Sequence, residues 1–419
     1  MKNPAHPDCC DHLESGRLFQ VEETVAQAVA LSTRIQGTED VLLSEAVGRV
    51  SAGDTVSLFA LPLHDHSAVD GYALGASGGG EFQIVGRRIA GDSSKLEIGA
   101  SQAVRIMTGA PIPKGAQCVV MQEHASVAGD RVKPDFEVPE GDNIRRAGED
   151  VQAFDILVKA GTRLDARHAA ILTASGYQRI SVARKVKIAL LSTGNELLDA
   201  GTGIGSGQIF DTNRPMLKAL LSTRNVEVTD LGIVRDSQEQ IVSALAEAAK
   251  NHDLIITSGG VSVGEEDHLK AAVVSAGGEI TSWRMAIKPG KPIALGKIEK
   301  AVYLGLPGNP LACFVDYLLV GRPILDALTG AAHRAPLVQQ ARAAFSWSRR
   351  AGRREFFPCN IVGRTDEGLP LLEKTGRAGS ARLTPLIEAD GLGVVAADCT
   401  EVQPGGILQF YPFRADMGL

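Results

Sequence analysis

Two apolar runs of β type in this chain each end in a glycine-punctuated loop that leads into a helix-type segment. The first is Leu254-Ile255-Ile256-Thr257-Ser258-Gly259-Gly260-Val261-Ser262-Val263-Gly264-Glu265-Glu266-Asp267. The second is Val302-Tyr303-Leu304-Gly305-Leu306-Pro307-Gly308-Asn309-Pro310. Strands separated by helices pair in parallel, which demands an α/β layout. In an open parallel sheet the ligand crevice lies at the C-terminal ends of the strands. Loops of Gly, Ser and Asn present backbone N–H groups and small hydroxyls there, an arrangement that binds anions and phosphate above all. The two loops together predict a site for a phosphorylated small molecule.

The βα alternation runs from Val186, with strands expected at 186–192, 226–233, 253–257 and 301–306 and helices at 213–223, 237–250, 266–276 and 310–328. Upstream, Val21 to Ile35 and Thr38 to Val50 show helical spacing, as does Ala166 to Ser175. The stretch from Asp54 to Val138 is rich in Gly with short alternating runs, the pattern of a small β domain. Beyond Gly330, Pro, Gly and short apolar runs predict a compact C-terminal β domain, with a linker near Pro336. The expected fold class is multi-domain α/β plus β. It has an elongated N-terminal helical/β region, a central three-layer α/β domain with a mostly parallel sheet, and a small β-barrel-like C-terminal domain. Expected boundaries are a tail at 1–16, a linking helical domain at 17–53 and 139–182, an inserted β domain at 54–138, the α/β domain at 183–332 and the C-terminal domain at 333–419.

Composition narrows the function. The 419 residues are 44% hydrophobic and 22% charged, the balance of a globular protein. A net charge of −6 argues against a general nucleic-acid binder. No apolar run reaches transmembrane length and no secretory leader is visible, and six scattered cysteines suit a reduced compartment, so a cytoplasmic location is expected. Cys9-Cys10, flanked by His6, Asp8, Asp11 and His12, fits no zinc spacing and reads as a tail.

Several polar clusters are candidates for chemistry. Ser192-Thr193-Gly194-Asn195-Glu196 ends a strand, so its turn suits a phosphate or pterin edge and Glu196 a divalent cation, although an ordinary capped turn explains it too. Asp211-Thr212-Asn213 precedes a helix and is explained by capping, with ligand contact also open. Ser258, Gly259, Gly260, Ser262 and Gly264 allow close backbone approach, and Asp267 adds an oxygen ligand suited to magnesium. Lys288-Pro289-Gly290-Lys291-Pro292 places two ammonium groups on a proline-stiffened loop, where both can converge on one oxyanion. Pro307-Gly308-Asn309-Pro310 is a rigid turn into the next helix. In the N-terminal half, His64 and His66 read as a surface pair and Asp70 as a turn carboxylate. Met107-Thr108-Gly109 is a further turn, and Arg145 to Asp150 a salt-bridged loop.

The order of these motifs is more specific than any one of them. Ser67-Ala68-Val69-Asp70-Gly71-Tyr72-Ala73, Met107-Thr108-Gly109-Ala110, Val120-Met121-Gln122-Glu123, Arg145-Arg146-Ala147-Gly148-Glu149-Asp150, Ser192 to Leu197, Thr257 to Gly264, Lys288 to Pro292 and Pro307 to Pro310 together resemble the MoeA family of molybdopterin molybdenumtransferases, related to the E domain of gephyrin. The match runs from about residue 20 to the C-terminus. The resemblance implies cleavage of adenylylated molybdopterin with a divalent cation, usually Mg2+, and insertion of molybdenum from molybdate, yielding molybdenum cofactor and AMP. It implies an elongated homodimer whose site joins the α/β domain of one subunit to the N-terminal β domain of the other. The upstream molybdopterin adenylyltransferase is a candidate partner. Asp70, Glu196, Asp150 and Asp267 match the family's acidic positions, with Asp70, Glu196 and Asp267 as metal ligands. The resemblance makes Thr108 a ligand contact from the partner subunit and Arg353 an oxyanion contact, with Ser380 or Thr384 a candidate hydroxyl. The expected substrate contacts are thus Thr108, Ser192, Thr193, Gly194, Asp211, Ser258, Gly259, Gly260, Ser262, Gly264, Lys288, Lys291, Pro307, Gly308, Asn309 and Arg353. Asn195, His66, Leu311-Ala312 and Pro358 depart from the family pattern, and lower activity or altered metal choice follows if these matter. Two other readings compete: a molybdopterin adenylyltransferase, and a non-catalytic cofactor-binding paralogue.

Overall fold

The computed structural model describes residues 18–260, 268–332, 336–376, 379 and 381–413. Its centre is a six-stranded sheet in the order Val226–Val234, Val186–Thr193, Leu254–Ser258, Ala301–Leu306, Pro292–Ile298, Gly278–Arg284. The first four strands are parallel. The last two are antiparallel. Val186 to Thr193 and Leu254 to Ser258 read as unbroken apolar runs because both faces are covered. On one face Ile188, Leu190, Ile256 and Leu304 pack with Leu217, Val320 and Ile324. On the other, Ala189, Leu191, Ile255 and Tyr303 pack with Ile241, Leu245 and Ala272. The three-layer expectation holds.

The antiparallel pair was invisible to helix–strand alternation, because Gly278–Arg284 and Pro292–Ile298 form a hairpin-like excursion with no intervening helix. The expected helix at 310–328 is present as Pro310–Asp316, a π-helical stretch at Tyr317–Gly321, and Arg322–Thr329. The helical reading of Thr38 to Val50 is corrected. Thr38–Leu42 is a strand paired antiparallel with Arg179–Ala183, and only Leu43–Ala46 is helical. The partner strand, more than a hundred residues away in sequence, overrides local spacing there. The first helix ends at Leu31, short of Ile35.

The N-terminal β region is a six-stranded sheet ordered Cys118–Met121, Gly71–Leu74, Gln102–Ile106, Phe82–Arg88, Arg131–Pro134, Ala125–Ala128. Gly71 must be glycine, since a Cβ would run into the Val120 carbonyl of the neighbouring strand. At the C-terminus, Arg354–Arg364, Pro370–Lys374, Gln339–Ala343, Ile407–Pro412 and Gly391–Val395 pair in sequence. The last pairs back to the first, which closes a five-stranded barrel. A short strand, Ile287–Lys288, pairs in parallel with Arg354–Glu355 and stitches the barrel to the α/β domain.

A charge clamp ties the N-terminal chain to the opposite end of the central sheet. Arg184 reaches both carboxylate oxygens of Asp253 at 2.7 and 2.8 Å and donates from Nε to the Gln36 carbonyl. Asp253 also accepts from the Lys187 amide. Burial alone would raise the Asp253 pKa. The Arg184 and Lys187 hydrogen bonds outweigh it and hold the carboxyl below its usual range. A depressed carboxyl contributes stability above its unfolded value of about 3.9 and loses it as pH falls through the folded value. Arg184→Met should therefore lower unfolding free energy by about 1–3 kcal/mol at pH 7. In denaturant titrations at several pH values, that deficit should shrink below about pH 4. A deficit unchanged down to pH 2 would remove Asp253 from the account.

Candidate functional site

The parallel register brings the strand tips level. Ser192 lies opposite Ser258, and Ser258 opposite Leu306. Each strand then turns at glycine or proline, so Ser192-Thr193-Gly194, Ser258-Gly259-Gly260 and Pro307-Gly308 line one edge. The Gly259 amide donates to the Leu306 carbonyl at 3.0 Å, and a Cβ on Gly308 would sit 3.8 Å from the Gly259 Cα. Gly259 has φ +93°, and a Cβ there would lie 2.5 Å from the Thr193 carbonyl oxygen. The Gly259 turn is therefore packed on the Thr193 turn through bare backbone, which only glycine permits, and the Gly308 turn lies at ordinary contact distance beside it.

Asn213 fastens this edge. Its side-chain amide donates to Ser258 Oγ at 2.7 Å and to the Gly308 carbonyl at 2.7 Å, joining two turns from the start of a helix. The sequence reading gave Asn213 a capping role with ligand contact open; in the structure capping falls to Asp211, whose carboxylate accepts the Asn213 and Arg214 amides. Asp211 is buried and also pairs with Arg214 Nε at 3.0 Å, and Arg214 further holds Asp230 and Asp199. Its carboxylate is thus engaged by its own helix and Arg214.

Three buried polar atoms at this edge have no hydrogen-bond partner among the described residues: Ser192 Oγ, Thr193 Oγ1 and Asn213 Oδ1. Buried polar atoms are seldom left unmatched, because desolvation costs about 1–3 kcal/mol each. Their grouping at a glycine-lined strand edge makes this the candidate site for a polar ligand. Glu196 is exposed just beyond, its carboxylate folded back so that a Cβ on Gly194 would sit 2.7 Å from Oε2. Asn195 is locked away from that carboxylate, its Oδ1 accepting from the Asp236 amide and its carbonyl from Arg235.

The Lys288 loop reaches the same end of the sheet, because Pro292–Ile298 runs antiparallel to Ala301–Leu306. Lys288 and Lys291 are exposed. Lys288 is also engaged, with Nζ 2.8 Å from Glu355 Oε1. Glu355 is buried and holds Arg349 Nε at 3.1 Å through its other oxygen. Arg353 Nη1 lies 3.5 Å from the Ile287 carbonyl, so it stands at the same seam. Glu355 and Arg349 escaped sequence reasoning. The usable signal was strand alternation after Arg353, which turns Glu355 inward. Asn309 is exposed at the turn, its carbonyl accepting the Cys313 amide. Thr384 opens a short helix, Thr384–Glu388, and Pro358 pairs in register with Leu392. Ser262, Gly264, Asp267, Ser380 and the Cys9-Cys10 tail lie outside the described residues.

In the N-terminal β region, Asp70 and Thr108 meet. Asp70 Oδ1 accepts from the Thr108 amide at 2.7 Å and from its hydroxyl at 2.8 Å. These two donors hold the exposed Asp70 carboxyl below its ordinary range, so it is an anion at neutral pH. Arg105 stacks 4.9 Å over Tyr72 beside it. Arg146 and the Ala147 amide bind Asp65, and Arg145 pairs with Glu149, as a salt-bridged loop should. Asp150 is exposed, its amide donating to the Leu61 carbonyl. His66 contacts the His64 carbonyl at 3.2 Å, and no group of three or more His, Cys, Asp or Glu side chains is placed for a metal ion among the described residues. Asp70 and Glu196 stand on separate domains of one chain.

Fold and strand-edge geometry define a class: an open α/β module with a glycine-lined ligand edge, carried between a β-rich N-terminal lobe and a C-terminal barrel. Known proteins share every part of it. Residues 19–176 match the MoeA N-terminal region (domain I and II), 189–327 a probable molybdopterin binding domain, and 340–413 the MoeA C-terminal region (domain IV). The chain belongs to the MoeA family. It is 36% identical over 390 residues to a molybdopterin molybdenumtransferase of Haemophilus influenzae, covering 91% of this chain and 95% of the relative. A molybdopterin molybdenumtransferase of Staphylococcus epidermidis is 34% identical over 333 residues, covering 77% and 79%. The crystal structure of a molybdopterin biosynthesis MoeA protein from Pyrococcus horikoshii superposes with TM-score 0.78 at 27% identity, covering 94% of this chain and all of that one.

The unmatched hydroxyls give a direct test. Thr193→Val removes a buried hydroxyl with no partner among the described residues, so the melting temperature should hold or rise. Affinity for an adenylylated pterin should fall about tenfold, the worth of one hydrogen bond to a charged group. A destabilised variant with unchanged affinity would assign the hydroxyl to the fold instead.

Proposed function

We propose that this chain inserts molybdenum into molybdopterin, taking adenylylated molybdopterin and molybdate and releasing molybdenum cofactor and AMP. The observation that carries the reading is the cluster of unmatched Ser192, Thr193 and Asn213 atoms beside the bare backbone of Gly259 and Gly308. The substrate brings a pyrophosphate link and an oxyanion, both of which need N–H donors and cations. The strand-tip amides and hydroxyls would bind the nucleotide, and Lys288, Lys291 and Arg353 would face the oxyanion.

Mg2+ fits the donor chemistry, since Asp70, Glu196 and Asp267 offer hard carboxylate oxygens. When bound, the cation would neutralise charge at phosphorus. The described donors of one chain do not cluster, and Asp70 and Glu196 stand on different domains. A homodimer resolves this, with Asp70 and Thr108 of one subunit facing Glu196 of the other. Thr108 then keeps Asp70 ionised and oriented for its role. Asp150 is the remaining acidic candidate, on the salt-bridged loop packed on Leu61 and Asp65. No described helix is long and apolar enough to cross a membrane, and a cytoplasmic site of action suits a biosynthetic role of this kind.

The competing adenylyltransferase reading requires ATP turnover, and the paralogue reading requires binding without cleavage. Incubation with adenylylated molybdopterin, molybdate and Mg2+ should release AMP, and ATP should not be consumed. Asp70→Asn and Glu196→Gln should each lower AMP release by at least about a hundredfold. Mixing the two inactive variants should restore about a quarter of wild-type activity, because each mixed dimer keeps one intact site. Tight binding with no AMP would sink the transferase reading, and failure of the mixture to recover would sink the shared site.

A further inference from the structure

The barrel mouth at the Lys288 loop carries more positive charge than its buried carboxylate neutralises. Along Arg354–Arg364, Phe357 and Cys359 belong to the barrel core and Phe356 to the α/β core, so alternation puts Glu355 on the barrel's interior side. Glu355 is already shared between Lys288 and Arg349. A third cation faces the same aromatic cluster, because Phe345 and Trp347 both pack on Phe357, two residues from Glu355 on the barrel's interior side. Lys374 lies two residues past the core residue Leu372 and opposite Cys359 in register. Its ammonium sits 3.7 Å from the Trp347 ring centroid and 5.8 Å from that of Phe345.

Trp347 and Phe345 hold this ammonium by cation–π attraction, and among the described residues it has no hydrogen-bond or ion-pair partner. Burial lowers its pKa first. Glu355 and Glu373 raise it and Lys288 lowers it, so these charges act on one another. Glu373 is the exposed neighbour on the outward face, where solvent screens it. Three cations against one buried carboxylate leave an excess that an entering anion would relieve. At the same strand end, Thr375 Oγ1 is buried without a partner among the described residues.

We propose that Lys374 is a further oxyanion-binding residue, presented on Trp347 and Phe345 beside Lys288 to take an oxygen of a tetrahedral dianion of the molybdate class. This rests on the reading that such an oxyanion is the co-substrate. Two sources share the chemistry, free molybdate and the phosphate of the nucleotide, and the assay separates them.

Molybdate alone, then AMP alone, is titrated calorimetrically into the full-length protein. Lys374→Met should weaken molybdate binding about tenfold and leave AMP affinity unchanged. Lys374→Arg, which keeps the charge and stacks on the same rings, should stay within about threefold of wild type for molybdate. The proposal is overturned if Lys374→Met binds molybdate like wild type, if AMP affinity falls in its place, if Lys374→Arg loses as much as Lys374→Met, or if wild type binds no molybdate. A wild type that binds molybdate yet releases no AMP would count against the transferase reading alone.

Discussion

The structure depends on one constraint: four parallel strands held in register so that their tips end level. Ser192, Ser258 and Leu306 are neighbours across the sheet, and every element of the candidate nucleotide edge follows from that alignment. The sheet is covered on both faces by apolar helices, so a slip of one residue would exchange Leu190 and Leu191 between two different cores. Burial thus fixes the register, and the register positions the chemistry. Asn213 adds the local fastening, tying Ser258 to Gly308 through one side-chain amide.

The second site is built on a different principle. The Lys288 loop is joined to the barrel by only two residues of parallel pairing, Ile287–Lys288 with Arg354–Glu355. Apolar packing of Met285 and Ile287 with Phe356 and Leu392 adds to that pairing, and so does charge, with Glu355 taking Lys288 on one oxygen and Arg349 on the other. Arg349 also donates to the Ala396, Cys399 and Arg353 carbonyls, so the guanidinium is held on several sides and Glu355 has a fixed partner. Ile287 is buried in the main core beside Met285, Phe356 and Leu392, while Lys288, the next residue, turns out to solvent and presents its cation.

Much of this was legible in the residues. Runs such as Val186 to Ser192 and Leu254 to Thr257 announced buried strands, and the Gly and Pro that follow announced where they turn. What failed had long-range causes. Thr38 to Leu42 is a strand because Arg179 to Ala183 lies beside it, which no local window contains. The antiparallel strands around the Lys288 loop lack the helix that betrayed the others. Within the candidate site, the sequence showed the motif residues by their chemistry, whereas the tie that Asn213 makes between two turns, and the parts of Arg349 and Glu355, were missed because they consist in what these side chains touch. Lys288 shows the same limit, since no spacing revealed that a buried carboxylate already holds it.

The clamp of Arg184 on Asp253 has an architectural consequence. It sits where the central strands begin, whereas Ser192, Ser258 and Leu306 sit where they finish. One mooring of the N-terminal chain thus lies at the end of the slab remote from the candidate site, while Phe19 bridges Met285 near the Lys288 loop. This clamp and the candidate ligand edge occupy opposite rims of one layer, so the grip of Arg184 on Asp253 makes no demand on the strand tips.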